Sequence, residues 1–154
     1  MTHEVDVQIA CKDDDLPARE KLKTWVRAAV GDLRDDCELT IRIVDEAEIE
    51  RLNSTYRNKT GVTNVLSFPF DAPAEVDIPL LGDIVICAPV VRREAREQEK
   101  SMHAHWAHMV VHGTLHLLGF DHERKREAQE MEAMETRILT DLGFDNPYES
   151  RGVT

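Results

Sequence analysis

The stretch HGTLHLLGFDH, residues 112–122, decides how the rest of the chain is organised. Its first two histidines, His112 and His116, are four residues apart. On a helix they therefore share one face, about one turn apart. Gly119 readily adopts the left-handed conformation that ends a helix, so His122 can fold back towards the other two. The stretch thus predicts a metal-binding helix whose final turn brings three imidazoles together.

Three imidazole nitrogens can bind one metal ion at about 2 Å and leave a fourth tetrahedral position open, as in catalytic zinc sites. We therefore expect one zinc ion per chain on His112, His116 and His122, although nickel, copper or iron would also suit this ligand set.

His108 lies too far along the helix from His116 to share an ion, since eight residues span about 12 Å. It either orients a ligand or packs in the core. Asp121 either orients a histidine or caps the last helix.

The histidine spacing matches that of the metzincin proteases, with one difference that concerns the chemistry. Those proteases carry a glutamate directly after the first histidine, where it acts as the general base. This chain has Gly113 at that position, and a glycine cannot accept a proton. Peptide hydrolysis by the metzincin mechanism is therefore disfavoured, and the site needs a different scissile bond or a base from elsewhere.

Hydrophobic periodicity on both sides of this stretch predicts the fold. Alternating apolar residues indicate strands near residues 5–11 and 39–43, and two more strands follow at 65–70 and 84–88. Helical patterns or start signals appear at 17–33, 45–52, 89–99, 101–118 and 123–142. We expect one α+β domain over residues 1–154, with a mixed sheet of about four strands covered by helices and a zincin-like metal-binding helix. From about residue 145 the chain is expected to be loosely held.

Length, charge and cysteine content exclude several classes of protein. The chain has 154 residues, which fits one domain, and its formal net charge of −11 opposes nonspecific binding of polyanions. A locally basic groove remains compatible with that total. Three widely spaced cysteines indicate reduced thiols, and no secretory signal or membrane-spanning run is evident. We therefore expect a cytoplasmic protein with no membrane partner.

Three further stretches carry a resemblance to a known family: LNSTYRNK at 52–59, TNVLSFPF at 63–70 and LGDIVI at 81–86. Together with residues 112–122 they resemble the YbeY endoribonucleases, the bacterial rRNA maturation factors. Phe120 stands where that family usually has a tyrosine, a change that should matter little to the metal. The resemblance implies a zinc-like metal on the three histidines, a functional Arg57, processing of the 3′ end of 16S rRNA and a role in ribosome quality control.

The chemistry of Arg57 agrees with that implication. A guanidinium can hold a phosphate through two parallel hydrogen bonds and can offset the charge gained in a transition state. The alternative is an ordinary surface arginine in a loop. Lys59, Asn64 and Ser67 are expected to add substrate contacts. Three arginines of the helix that follows residue 88 either extend a basic track or belong to a solvated face; they are Arg92, Arg93 and Arg96.

The leading hypothesis is a metal-dependent, single-strand-specific endoribonuclease that matures the 3′ end of 16S rRNA and takes part in ribosome quality control. Its partners would be rRNA, the small ribosomal subunit and a ribosomal protein or assembly factor that delivers the substrate to an acidic enzyme. Two alternatives remain open. One is a noncatalytic ribosome-assembly factor with a structural metal, and the other is a different metallohydrolase. The nucleophile, either a water molecule or the 2′-hydroxyl of the RNA, also remains open.

Overall fold

The computed structural model describes residues 2–13, 15–70, 78–120 and 124–148, and within these ranges strands and helices follow one another with short connections. The elements are β1 (Thr2–Ala10), α1 (Arg19–Val30), β2 (Asp36–Val44), α2 (Glu46–Arg57), β3 (Val65–Pro69), β4 (Leu80–Cys87), α3 (Ala88–Glu97), α4 (Met102–Leu117) and α5 (Lys125–Asp141).

The sheet has the strand order β1-β2-β4-β3. The first three strands of that order are parallel, whereas β3 runs antiparallel to β4. In the sequence, Pro69 indicates that the strand at 65–70 is an edge strand or ends there, and the continuous apolar run at 84–88 indicates a central strand. In the structure β3 lies at the edge and ends at Pro69, and β4 lies in the interior of the sheet. The predicted class, an α+β domain with a mixed four-stranded sheet covered by helices, is therefore confirmed.

Helix α4 lies at the centre of the helical layer. It contacts α1, α3 and α5 as well as strands β3 and β4, and it is buried around most of its circumference. As the sequence predicts, Ser101 caps its start, with the side-chain oxygen accepting a hydrogen bond from the backbone nitrogen of Ala104 at 3.1 Å. Gly119 follows its end with a φ of 103°. The helix that carries the histidines is thus held on several sides by the rest of the fold.

Helix α2 is longer than the sequence pattern indicated. We expected a helix as far as Leu52 and a loop from residue 56, but α2 continues to Arg57. The helix ends where Asn58 adopts the left-handed conformation, and the backbone nitrogen of Lys59 donates to the carbonyl of Asn53 at 3.3 Å. Arg57 therefore projects from a helix end and not from a loop. The misplaced boundary reflects the polar residues of this helix, which lies on the outer side of the sheet.

Smaller corrections concern the bounds of α1, the start of α2 and the start of β4. Helix α1 begins at Arg19, two residues after Pro17, and Leu33, which we assigned to its apolar stripe, is 50% exposed because the helix ends at Val30. In the sequence, Asp45 followed by Glu48 resembles a capping box at the start of α2, but Asp45 makes no capping bond. Two prolines, Pro73 and Pro79, predict a loop over 71–80. In the structure β4 already begins at Leu80, and residues 71–77 lie outside the described ranges.

Gly113 explains how closely α4 approaches the sheet. A Cβ atom at this position would lie 2.8 Å from Cγ2 of Ile84, a fully buried residue of β4. Any side chain here would push the helix away from the strand. The missing glutamate of the metzincin pattern therefore has a packing reason as well as a chemical consequence.

We expect Gly113→Ala to lower the free energy of unfolding by about 1–2 kcal/mol. Overpacking costs about 1–3 kcal/mol, and the better helix propensity of alanine returns up to about 1 kcal/mol. In an Ile84→Ala background the clash is absent, so the same substitution should stabilise the protein by up to about 1 kcal/mol. Urea unfolding of the unaltered protein, the two single variants and the double variant measures both effects. Equal effects of Gly113→Ala in the two backgrounds would contradict the close packing.

Candidate active site

A groove of about 580 Å³ opens between the end of α2, strand β3 and the C-terminal half of α4. Six residues that the sequence singled out lie along it, although they come from three separate stretches of the chain. The groove is lined by Arg57, Lys59, Thr63, Asn64, Val65, Ser67, Pro69, His112, His116, Gly119 and Phe120. The fold thus brings the predicted cationic, polar and metal-ligating residues to one surface.

His112 and His116 face each other on α4 as their spacing predicts. Their ring centroids are 4.7 Å apart, with an angle of 76° between the ring planes. The other two predicted members of this cluster, Asp121 and His122, lie outside the described residues. Within the described ranges, no three side chains gather in a metal-binding arrangement, and the third expected ligand is one of the two that those ranges omit. The three-histidine site stays a prediction.

Glu135 of α5 forms a hydrogen bond with the imidazole of His112. Its Oε1 lies 2.8 Å from Nδ1 of His112. An ionised carboxylate can only accept this hydrogen bond, so a proton sits on Nδ1, and in the neutral ring the lone pair is on Nε2. A carboxylate bound to the remote ring nitrogen is the usual outer support of a metal-binding histidine. The residues present therefore fit a metal ligated through Nε2 of His112.

Two more side chains complete the bonding of Glu135, whose exposure is only 1%. Nε2 of His108 lies 3.2 Å from Oε1, and the hydroxyl of Tyr148 donates to Oε2 at 2.7 Å. Burial by itself raises the pKa of Glu135, but the hydrogen bonds from His108 and His112 outweigh it and lower the pKa to about 2. Burial and the bond to Glu135 both raise the pKa of Tyr148. His108 thus contacts Glu135, the residue that bonds to His112, and its predicted role beside a metal ligand stays a prediction.

Asn64 and Ser67 line the groove but bond within the protein. Asn64 donates from Nδ2 to Oε1 of Glu94 at 3.0 Å, and the hydroxyl of Ser67 donates to the carbonyl of Gly113 at 3.2 Å. His105 also contacts Glu94, at 2.9 Å. Burial lowers the pKa of His105, and the bond to Glu94 opposes that shift. These contacts tie β3 to α3 and α4, whereas the predicted substrate contacts of Asn64 and Ser67 stay predictions.

The cationic side chains divide into two groups. Arg57 and Lys59 are exposed and line the groove. Arg92 and Arg93 of α3 form ion pairs with Asp13 and Glu46, respectively, and neither arginine is among the residues that line the groove. The basic part of the groove is therefore the end of α2 and its following loop.

Sequence reasoning missed Glu135 and Tyr148. A signal for Glu135 was present, because it lies four residues after Met131 and three before Ile138, on the buried face of α5. A carboxylate on the buried face of an amphipathic helix requires hydrogen-bond partners, which marks it as a candidate for a site. Nothing in the local sequence marks Tyr148, since its contacts with His108 and Glu135 depend on how the chain returns after α5.

Comparison with known proteins identifies the class and then the family. The solution structure of TM1509 from Thermotoga maritima is similar to this chain, with a TM-score of 0.58 and 25% identity over 93% of this chain and 99% of that one. A family model described as endoribonuclease YbeY matches residues 8–143. The groove therefore belongs to an endoribonuclease. The chain is a member of the YbeY family, and its role lies in rRNA processing.

The family match extends well beyond the motifs that carried the sequence resemblance, which ran from about residue 52 to residue 122. Towards the N-terminus it includes α1 and β2, and towards the C-terminus it includes α5 with Glu135. Among the described residues, no helix combines the length and the apolar character needed to cross a membrane.

We expect Glu135→Gln to lower the free energy of unfolding by about 2–3 kcal/mol, because it weakens hydrogen bonds to a buried charged group. The matched control is Glu132→Gln, an exposed glutamate of the same helix, which should change stability by less than about 0.5 kcal/mol. Chemical denaturation of both variants measures the difference. Similar values for the two would show that the bonds of Glu135 carry no net stability.

Proposed function

We propose that this chain is a zinc-dependent, single-strand-specific endoribonuclease that matures the 3′ end of 16S rRNA and takes part in ribosome quality control. One observation carries the proposal: a single groove holds Arg57 and Lys59 together with His112 and His116. Cationic side chains suit a phosphodiester backbone, and the paired imidazoles suit a metal ion. Membership of the YbeY family supports RNA as the substrate.

The metal part of the proposal rests on the ligand chemistry. The expected ligands are His112, His116 and His122, and the bond from Nδ1 of His112 to Glu135 leaves Nε2 as the donor that zinc prefers. When bound, zinc supplies Lewis acidity towards a phosphodiester oxygen or a water molecule. Nickel or another divalent transition metal could serve the same ligands.

The chain itself binds and orients the phosphodiester. Arg57 stands at the end of α2, and the bonds that Asn53 makes to Lys59 and Gly61 hold the following loop against the helix. A guanidinium on such a support can donate two parallel hydrogen bonds to phosphate oxygens and stabilise the charge that develops there. Lys59 adds a second positive charge to the same groove.

The groove also suits an unpaired strand. Phe120, whose side chain also packs against the core, is one of the residues that line it, and aromatic faces stack on unpaired bases without regard to sequence. The net charge of −11 opposes encounter with free RNA, so we infer that the substrate is presented by the small ribosomal subunit with the help of a ribosomal protein or assembly factor. The cytoplasm, where ribosomes assemble, is the corresponding location.

The acidic total also favours a second candidate, a ribosome-assembly factor that does not cleave RNA and uses the metal only to hold the end of α4. Another metallohydrolase, such as a peptidase, has less support. Gly113 supplies no general base, and its contact with Ile84 leaves no room for one.

We expect Arg57→Ala to slow cleavage of an RNA that spans the 3′ end of 16S rRNA by about 100-fold or more, since it removes a donor to the transition state. Arg57→Lys keeps the charge but loses the paired hydrogen bonds, so its cleavage rate should lie between that of the unaltered protein and that of Arg57→Ala. Arg51→Ala, an exposed arginine of the same helix, is the control and should cleave at the unaltered rate.

The same assay identifies the nucleophile and tests the assignment. Attack by the RNA's own 2′-hydroxyl leaves a 2′,3′-cyclic phosphate, whereas attack by water does not. An Arg57→Ala protein that is folded by circular dichroism and still cleaves at the full rate would remove the role assigned to this arginine.

Metal content gives a test that does not depend on activity. We expect the purified protein to hold one zinc ion per chain, and His116→Ala to lose it while staying folded. His103→Ala, an exposed histidine in the first turn of α4, is the control and should keep the ion. A chelator should abolish cleavage and added zinc should restore it. If His116→Ala instead unfolds and the unaltered protein leaves RNA intact, the assembly factor with a structural metal is the better description.

A further inference from the structure

Tyr148 reaches into the buried network behind His112 from the surface of the protein. Its side chain is 45% exposed, yet its hydroxyl donates to Oε2 of Glu135 at 2.7 Å and lies 3.2 Å from Nε2 of His108. Its ring packs edge-on against the ring of His108, with centroids 5.3 Å apart and an interplanar angle of 86°. The hydroxyl is therefore the only part of this residue that bonds to the carboxylate.

The segment that carries Tyr148 is fixed by bonds made outside the site. Lys100 donates to the carbonyl of Pro147 at 2.9 Å, and the backbone nitrogen of Tyr148 donates to Oδ1 of Asn146 at 2.8 Å. We expected the chain to be loosely held from about residue 145. As far as Tyr148 it makes these bonds, and the residues after it lie outside the described ranges. The hydroxyl is thus presented to Glu135 by a segment that other contacts already hold.

We propose that Tyr148 is a positioning residue of the active site, whose hydroxyl fixes the carboxylate of Glu135 and through it the imidazole of His112. The inference rests on the proposed function in one respect, namely that His112 is a metal ligand. It assigns a task in the reaction to the last part of the described chain, which lies far along the sequence from the histidine helix.

The two oxygens of Glu135 have different partners. Oε1 accepts from His112 and faces Nε2 of His108, while Oε2 accepts from Tyr148. With both oxygens engaged, the carboxylate plane cannot rotate without breaking a bond. Without the hydroxyl, Oε2 is left buried and unsatisfied, and the carboxylate gains by turning towards another donor. His112 then loses the fixed acceptor that sets its proton and its ring orientation.

A role limited to fastening the chain end would have a different signature. Such a role would lower the stability of the protein but leave the folded site unchanged. A positioning role changes the tautomer of His112 in the metal-free protein and the metal affinity of the folded protein. These two quantities, measured below the unfolding temperature, separate the two roles.

The experiment compares Tyr148→Phe with Tyr56→Phe. Both substitutions remove one hydroxyl from an exposed tyrosine and keep the ring, and Tyr56 packs on Phe68 away from the groove. Nitrogen-15 NMR of the histidines in metal-free protein reports the tautomer of His112. Competition with a chromophoric chelator reports the affinity for zinc.

We expect Tyr148→Phe to turn a single Nδ1–H tautomer of His112 into a mixture and to weaken zinc binding by about tenfold, the lower end of the range for residues that support a ligand. Tyr56→Phe should match the unaltered protein in both measurements. An unchanged tautomer and an unchanged affinity in Tyr148→Phe would overturn the inference.

A further variant distinguishes failure of this inference from failure of the proposed function. His112→Ala should lose zinc if the proposed ligands are right. Should His112→Ala bind zinc as the unaltered protein does, the ligand assignment fails. The tautomer in the metal-free protein still decides whether Tyr148 positions His112.

Discussion

The site depends on one buried carboxylate, that of Glu135, which lies beneath α4 with an exposure of only 1%. Glu135 tolerates that position because His108, His112 and Tyr148 surround it with polar atoms. Removing a charge from water costs several kcal/mol, so burial is compatible with a stable fold only where hydrogen bonds replace the lost hydration. The same bonds give His112 one tautomer and one orientation. The requirement of stability and the fixed orientation of the His112 imidazole are therefore met by one set of contacts.

The position of α4 has a second physical basis in its contact with the sheet. Gly113 allows the helix to approach Ile84 more closely than any other residue would, and the hydroxyl of Ser67 bonds to the carbonyl of Gly113 from the edge strand. The helix, the edge strand and the end of α2 thereby form the walls of one groove. A rigid helix with a closely packed back suits a site in which two imidazoles must keep a fixed separation.

The chain as a whole carries a negative net charge, whereas its groove presents basic residues. Acidic residues exceed basic residues by 30 to 19, yet the groove presents Arg57 and Lys59, while Arg92 and Arg93 are paired with acidic residues elsewhere. The net charge of such a protein repels polyanions, while the two cations of its groove can attract a phosphate. Such a distribution favours a specific RNA that is brought to the groove over one that binds the protein at random.

By itself the sequence determined the α+β class, the positions of the edge and central strands and the pairing of His112 with His116. These follow from local rules, namely the two-residue and 3.6-residue periods, proline's missing donor and the rise of a helix. It also pointed to Arg57, although it assigned that residue to a loop. Only the tertiary structure decided that Arg57 ends a helix, that Gly113 meets Ile84, that Glu135 bonds to His112 and that Tyr148 bonds to Glu135. Those facts depend on contacts between residues far apart in the chain, which no local pattern encodes.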